Sequence, residues 1–184
     1  MADDGHEPDD GLADAIYWYT LALRLPREGI SAAFPSEADC RARLAKVRWP
    51  DGPACARCGS LEVFEISTRA VLKCRSCKHQ FSVTSGTDLR GSHIDLRLWF
   101  GAAERAIRYR KGGPKDFHIP ATTLAAGLGV YNVAARRMKK IILADLAPGG
   151  PGLLREAVCL NDVRLPAGLV VGSPAHLSWL ATRP

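Results

Sequence analysis

Apolar and aromatic residues run without a helix breaker from Leu12 to Leu25, which predicts a helix that Pro26 ends. Three aromatic residues in it, Tyr17, Trp18 and Tyr19, are consecutive. They cannot share one face of a helix, so some pack on the rest of the protein or form an exposed contact surface. Packing in the core is the favoured interpretation.

A second helix is predicted to begin after Phe34-Pro35-Ser36-Glu37. Ser36 is a good N-cap, and Asp39 occupies the third helical position as in a capping box. The helix runs to about Val47, and Trp49-Pro50-Asp51-Gly52 then turns the chain. Its expected apolar side consists of Ala38, Leu44 and Val47, and its basic side of Arg41, Arg43, Lys46 and Arg48.

Three short segments that follow have the residue types of strands. Val63–Ile66 and Val71–Lys73 are β-branched or aromatic, and residues 67–70 separate them, which predicts a hairpin. Gln80–Val83 alternates in polarity and predicts a third strand. A sheet of this size buries little apolar surface, so it needs a further source of stability.

The cysteines supply that source. Cys55-Ala-Arg-Cys58 and Cys74-Arg-Ser-Cys77 are two CxxC pairs at the spacing typical of a structural Zn²⁺ site, and the second closes the tetrahedron that the first begins. Gly59 follows the first pair, where a left-handed residue turns the chain away from the metal. Free thiols or disulfides are the alternative, and His79 is an alternative ligand beside the second pair.

A third helix is predicted from about Asp95 to about Arg110. Lys111-Gly112-Gly113-Pro114 ends it. Its basic residues are Arg97, Arg105, Arg108 and Arg110, of which Arg105 and Arg108 are candidate DNA contacts.

The segment Ile119–Ile142 has the pattern of a helix-turn-helix. A short helix at 121–126 precedes a glycine corner at 127–130, and a basic helix follows from Asn132. We expect Val133, Met138, Ile141 and Ile142 to pack. The predicted base contacts are Tyr131, Asn132, Ala135 and Arg136, and the predicted phosphate contacts are Arg136, Arg137, Lys139 and Lys140. A helical hairpin with a solvated basic face is the alternative.

Charge is distributed unevenly along the 184 residues. The net charge is +6, yet residues 1–14 hold six acids and no Lys or Arg, which leaves 25 bases against 13 acids in the remainder. A basic body favours a polyanion such as double-stranded DNA as partner. The chain opens without an apolar signal segment and has no run long enough to span a membrane, so we expect a cytoplasmic, nucleoid-associated protein in a reducing setting.

The expected fold class is α+β, with a small three-stranded zinc ribbon flanked by helices and followed by a helix-turn-helix. The predicted division is a disordered acidic tail at 1–11, N-terminal helices at 12–52, the zinc ribbon at 53–84, the helix-turn-helix DNA-binding region at 94–143 and an irregular C-terminal tail at 144–184. The tail contains short β-like runs such as 168–171.

Taken together, residues 30–142 resemble the N-terminal region of bacterial insertion-sequence transposases that begin with a zinc ribbon. The motifs are Phe34-Pro-Ser-Glu37, Arg48-Trp-Pro-Asp-Gly52, Cys55-x-x-Cys-Gly-Ser60, Cys74-Arg-x-Cys77, Gln80-Phe-Ser-Val-Thr-Ser-Gly-Thr87 and Leu124-Ala-x-x-Leu-Gly-Val130 with Ala135-x-x-Met138. The resemblance implies binding to transposon ends ahead of a ribonuclease-H-like domain that cuts and joins DNA with a carboxylate triad and two divalent metals.

The chain departs from that family after Ile142, where 42 residues remain with Asp145, Glu156 and Asp162 as their acids. This is too short for the catalytic domain, so we expect a zinc-stabilised DNA-binding protein that is not itself an enzyme. The alternatives are a truncated transposase subunit with its catalytic domain elsewhere, and a protein-interaction adaptor or transcriptional regulator that uses the N-terminal aromatic segment.

Overall fold

The computed structural model describes residues 10–66, 69–114 and 118–183, which form a helical body and a small antiparallel sheet. The helices are α1 (Asp10–Arg24), α2 (Ile30–Ala33), α3 (Glu37–Arg48), α4 (Leu96–Arg110), α5 (Ala121–Leu128), α6 (Asn132–Leu146), α7 (Leu153–Val158) and α8 (Pro174–Ala181). The strands are β1 (Val63–Ile66), β2 (Val71–Cys74) and β3 (Gln80–Phe81). The predicted α+β class is confirmed.

Helix α4 lies at the centre of the body and packs against α1, α2, α3, α5, α6 and α7. Its apolar residues Trp99, Phe100, Ala103 and Ile107 are buried, at spacings that keep them on one side of a helix. Asp95 caps its start by accepting a hydrogen bond from the backbone N–H of Arg97. None of the helices in the described ranges has the length and apolarity that crossing a membrane requires.

The aromatic segment of α1 belongs to the core, as the favoured interpretation predicted. Trp18, Leu21 and Leu25 are buried, and the Tyr17 hydroxyl donates a hydrogen bond to the carbonyl of Leu146. The alternative of an exposed aromatic contact surface is therefore wrong for Trp18, which is 3% exposed. Residues 1–9 of the predicted disordered tail lie outside the described residues, whereas residues 10–11 are helical and correct its boundary.

The capping box of α3 is confirmed, since the Ser36 side chain accepts from the backbone N–H of Asp39 and Asp39 accepts from that of Ser36. Two arginines of the predicted basic side, Arg43 and Arg48, donate hydrogen bonds to backbone carbonyl oxygens. Arg43 donates to the carbonyls of Glu156 and Ala157 at the end of α7. A long side chain that satisfies the last carbonyls of a helix stabilises that helix end, so Arg43 has a structural use.

The ribbon sheet has the strand order β1-β2-β3, antiparallel throughout, with Val63 opposite Cys74 and Leu72 opposite Phe81. Trp49 packs against both the core of the body and that of the ribbon, and its ring meets Phe81 edge-on at 5.9 Å between centroids. Beside it, Arg48 donates to the carbonyls of Val83 and Ser85 where the chain leaves the ribbon. This pair of neighbours fixes the ribbon on the body.

The prediction of an irregular C-terminal tail is wrong. Helix α7 packs against α3, α4 and α6, with Leu154, Ala157 and Val158 buried, and α8 packs against α1. The Asn161 side chain donates to the carbonyl of Leu25 at the end of α1. Short helices carry little periodic signal and are stabilised by tertiary contacts, so the sequence alone did not show them. Residues 168–171, which have β-like residue types, do not form a strand.

Candidate functional site

The four cysteines of the two CxxC pairs meet at one point. Their sulfur atoms all lie within 4.8 Å of one another, with Cys55 Sγ 3.5 Å from Cys77 Sγ and Cys58 Sγ 3.6 Å from Cys74 Sγ. A tetrahedral Zn²⁺ with bonds near 2.3 Å places its sulfurs about 3.8 Å apart. The donor set and its spacing fit a structural zinc site, and four thiolates leave no open position for water or substrate.

Both cysteine turns have the same backbone geometry. The N–H of Gly59 donates to the carbonyl of Cys55 at 2.8 Å, and the N–H of Lys78 donates to that of Cys74 at 3.1 Å. In each turn the first cysteine also donates its N–H, at 2.9 Å, to the carbonyl five residues on. Gly59 has φ 71° and Lys78 has φ 61°, so a left-handed residue follows each pair and the prediction for Gly59 is confirmed.

This equivalence predicts opposite effects from two substitutions. A Cβ at Gly59 meets nothing within 4 Å, so Gly59→Ala isolates the backbone strain, and we expect a loss of about 1–2 kcal/mol in ribbon stability. Lys78→Gly relieves the same strain and is expected to gain up to about 1 kcal/mol. Urea unfolding at saturating zinc measures both. Arg57→Gln controls for the lost charge. Changes of equal sign for Gly59→Ala and Lys78→Gly would contradict backbone strain as the cause.

The backbone prepares the thiols for metal binding. The Cys77 N–H donates to Cys74 Sγ at 3.5 Å, and this hydrogen bond lowers the pKa of Cys74 to about 6. Four thiolates around Zn²⁺ carry a net charge of two negatives, which nearby cations offset. The basic residues in and beside the cysteine turns are Arg57, Lys73, Arg75 and Lys78.

Neither of the remaining cysteines nor His79 belongs to the metal set. Burial raises the pKa of Cys40 to about 12 and that of Cys159 to about 11, so both remain neutral thiols in the helical core. The His79 ring stacks on Phe81, with their planes 12° apart. In the described parts of the chain, these four cysteines form the cluster of His, Cys, Asp or Glu side chains that lie close enough together to hold one metal ion.

Helices α5 and α6 pack against each other across a tight turn, as the sequence predicted. Gly129 ends α5 in the left-handed conformation with φ 67°, and the Val130 N–H donates to the carbonyl of Ala125. Leu124 and Ala125 bury the inner side of α5. The second helix, α6, is 15 residues long, or about 22 Å, and extends to Leu146 rather than to Ile142.

The two sides of α6 differ sharply. Ala135, Met138, Ile142 and Leu146 are buried against the body, whereas the exposed residues are Asn132, Val133, Arg136, Arg137, Lys140 and Ala144. Ala135 is therefore wrong as a base contact, because its side chain is fully enclosed by the core. Val133, which we expected to pack, is 79% exposed. A helical step of about 100° per residue places Val133 and Ala135 on opposite sides.

The other predicted DNA contacts divide between α6 and α4. Tyr131 is 90% exposed at the N-cap of α6, and Lys139 is half-buried. Arg105 on α4 lies against α5, since a Cβ on Gly127 would come within 3.0 Å of its guanidinium. Arg108 pairs with Glu104 at 2.9 Å, so its charge is partly balanced within the protein. The four-residue spacing of Glu104 and Arg108 on one helix is the sequence signal that could have shown this pairing.

A four-cysteine site in two matched turns on a three-stranded antiparallel sheet defines the described structure as that of a zinc-ribbon protein. Residues 35–80 match the family model of the transposase zinc-ribbon domain. The predicted resemblance to zinc-ribbon transposases is thereby confirmed, and with it the structural zinc. The matched segment includes α3, whose end carries the Arg48–Trp49 attachment.

The chain is also similar to an uncharacterized protein in the transposable element ISH50 of Halobacterium salinarum. The two are 29% identical over 119 residues, which cover 62% of this chain and 38% of that protein. The chain thus spans well under half the length of this relative. No solved structure shows a significant match to this chain.

Proposed function

We propose that this transposase-related chain binds double-stranded DNA through the exposed side of α6 and that the zinc ribbon provides a second, metal-stabilised contact. The observation that supports the proposal best is the exposed side of α6. Arg136, Arg137 and Lys140 project from it while the opposite side is buried. The proposed target is a transposon end, and DNA as partner implies a location at the nucleoid.

The shape of this surface fits a major groove. A helix of about 22 Å that follows a tight turn from a shorter helix can lie in a groove about 12 Å wide. Its first turn then meets base edges with Tyr131, Asn132 and Arg136, and its later cations meet phosphates. Asn and Arg are suited to bidentate contacts with adenine and guanine, respectively.

The proposal assigns this chain no catalytic step, because two of the three acids after Ile142 have structural partners. Asp145 is buried and accepts a hydrogen bond from the Arg155 N–H at 2.9 Å at the start of α7, and burial raises the pKa of its carboxyl. Glu156 accepts from Arg24 at 2.8 Å and from Arg155 at 3.1 Å. Two-metal phosphoryl transfer needs carboxylates that are free to hold the ions.

Salt-dependent binding to a duplex tests the proposed surface. We expect Arg137→Ala to weaken binding to all sequences and to lower the slope of log K against log salt by about 1, because one phosphate contact is lost. The double variant Arg136→Ala/Arg137→Ala should lower that slope by about 2. The measurement is fluorescence anisotropy with a labelled 30-base-pair duplex across a salt series.

Arg164→Ala is the matched control, since it removes an exposed arginine that lies outside α6. Its slope should equal that of the wild type. An unchanged slope for the α6 variants, with binding retained, contradicts the assigned surface. Wild-type protein that binds no duplex at low salt contradicts the proposed function as a whole.

A second candidate function is that of a DNA-binding part of a transposition machinery whose catalytic residues lie outside the matched segment. The match to 38% of the ISH50 protein favours it, because most of that relative has no counterpart here. A strand-transfer assay with terminal repeats and Mg²⁺ separates the two candidates. The first predicts binding without strand transfer, and the second predicts strand transfer when the missing catalytic part is supplied.

A further inference from the structure

An aliphatic side chain lies in the middle of the basic surface of α6. Val133 is 79% exposed in the first turn of the helix, next to Asn132. At about 100° per residue it lies within about 60° of Arg136, Arg137 and Lys140 around the helix axis. The described chain provides it with almost no apolar cover, although the opposite side of the same helix is packed into the core.

We infer that Val133 contacts the 5-methyl group of a thymine in the major groove, and this inference rests on the proposed function of α6. Thymine's methyl is the apolar group that the major groove presents, and aliphatic side chains are the residues that contact it. The cations around Val133 bring the negatively charged duplex to this surface. Asn132, its neighbour, can contact the adenine of an A·T pair through paired hydrogen bonds.

A second copy of the chain fits the same surface poorly. Self-association through Val133 brings Arg136, Arg137 and Lys140 of one copy against those of the other, and like charges placed opposite one another oppose binding. DNA, in contrast, complements the cations and the methyl groups together. The positive charge around Val133 therefore favours a DNA duplex over a second copy of the chain as the partner of this surface.

Replacing thymine by uracil tests the inference without altering the protein, because it removes the methyl group alone. Duplexes are first enriched by the wild-type 184-residue chain from a randomised 20-base-pair pool, and each thymidine of the enriched duplex is then replaced singly by deoxyuridine. At one or two positions we expect about a fourfold loss of affinity, the value of one buried methyl group. Val133→Ala should lose less than about 1.5-fold from the same replacement.

Val171→Ala is the matched control, since Val171 is 72% exposed and lies outside α6. It should show the same thymine-to-uracil ratios as the wild type. Equal ratios for wild type and Val133→Ala at every position, with salt-dependent binding retained, overturn the inference and leave the proposed function standing. Self-association that Val133→Ala abolishes, without a change in those ratios, overturns it in favour of a protein contact. Failure of the wild type to bind or enrich any duplex overturns both.

Discussion

Cys74→Ser is expected to unfold the ribbon and to reduce bound zinc from about one ion per chain to almost none. Structural zinc contributes on the order of 10–16 kcal/mol in small zinc domains at neutral pH, and the ribbon has little else to stabilise it. Its buried apolar set consists of Cys55, Cys74 and Phe81, so two of its three members are ligands. Loss of one thiolate therefore removes both the ion and much of the ribbon core.

The helical body should survive this change, because its core is a separate cluster that meets the ribbon chiefly through Trp49. We expect helical circular dichroism to be retained while the amide signals of β1 and β2 collapse to unfolded positions. Metal content and a ¹H–¹⁵N spectrum measure the two effects. Chelation of the wild-type protein should reproduce the variant.

Cys159→Ala is the control for cysteine loss, since Cys159 is buried in the body and lies outside the metal set. It should retain the zinc and the ribbon spectrum. A Cys74→Ser protein with intact strand dispersion and one bound zinc contradicts a four-thiolate site.

The second large effect concerns an ion pair between α1 and α4 whose arginine is buried. Arg110 is 2% exposed, and its guanidinium donates to Asp14 and, at 2.9 Å, to the carbonyl of Gly113. Asp14 also accepts from the Trp18 indole at 3.1 Å, and the guanidinium lies 5.5 Å from the centre of the Trp18 ring. The counter-charge of Arg110 therefore lies on α1, outside the residues 30–142 that resemble the transposase family.

Asp14→Asn is expected to lower the free energy of unfolding by about 3 kcal/mol, because it leaves a buried guanidinium without its counter-charge. Urea unfolding at saturating zinc, followed by tryptophan fluorescence, gives the measurement. Replacing both partners, as in Asp14→Leu with Arg110→Met, should restore most of the loss, since a matched apolar pair needs no counter-charge.

Arg108→Met provides the comparison on the same helix. Arg108 is 52% exposed and pairs with Glu104, so its loss should cost less than about 1 kcal/mol. Equal effects of Asp14→Asn and Arg108→Met would show that the Arg110 pair contributes no more than a surface pair.

Local features were predictable wherever they depend on short-range geometry. The two CxxC pairs determine a zinc site because four thiolates at that spacing close a tetrahedron, whatever the rest of the fold does. The same holds for the Ser36–Asp39 capping box and for the left-handed Gly59, both of which involve hydrogen bonds within a few residues. The turn before α6 was likewise visible in Gly129.

The use of the arginines could not be derived in the same way. Arg43, Arg48 and Arg110 look in the sequence like Arg136 and Arg137, yet the first three are bound to carbonyls or to a half-buried carboxylate. The carbonyl groups that Arg43 and Arg48 contact lie 35 to 114 residues away along the chain, so the sequence around each arginine does not show the contact. Charge counting therefore overstated the cationic surface available to a polyanion.

The sequence by itself determined the metal, its four ligands, the three strands and the two helices of the turn motif, because each is specified by neighbours along the chain. The tertiary structure alone decided that α1 and α7, two segments without a family explanation, close the core around α4. It also decided that α6 turns Ala135 inward and Val133 outward. Burial depends on which distant surfaces meet, and a pattern along the chain does not specify those partners.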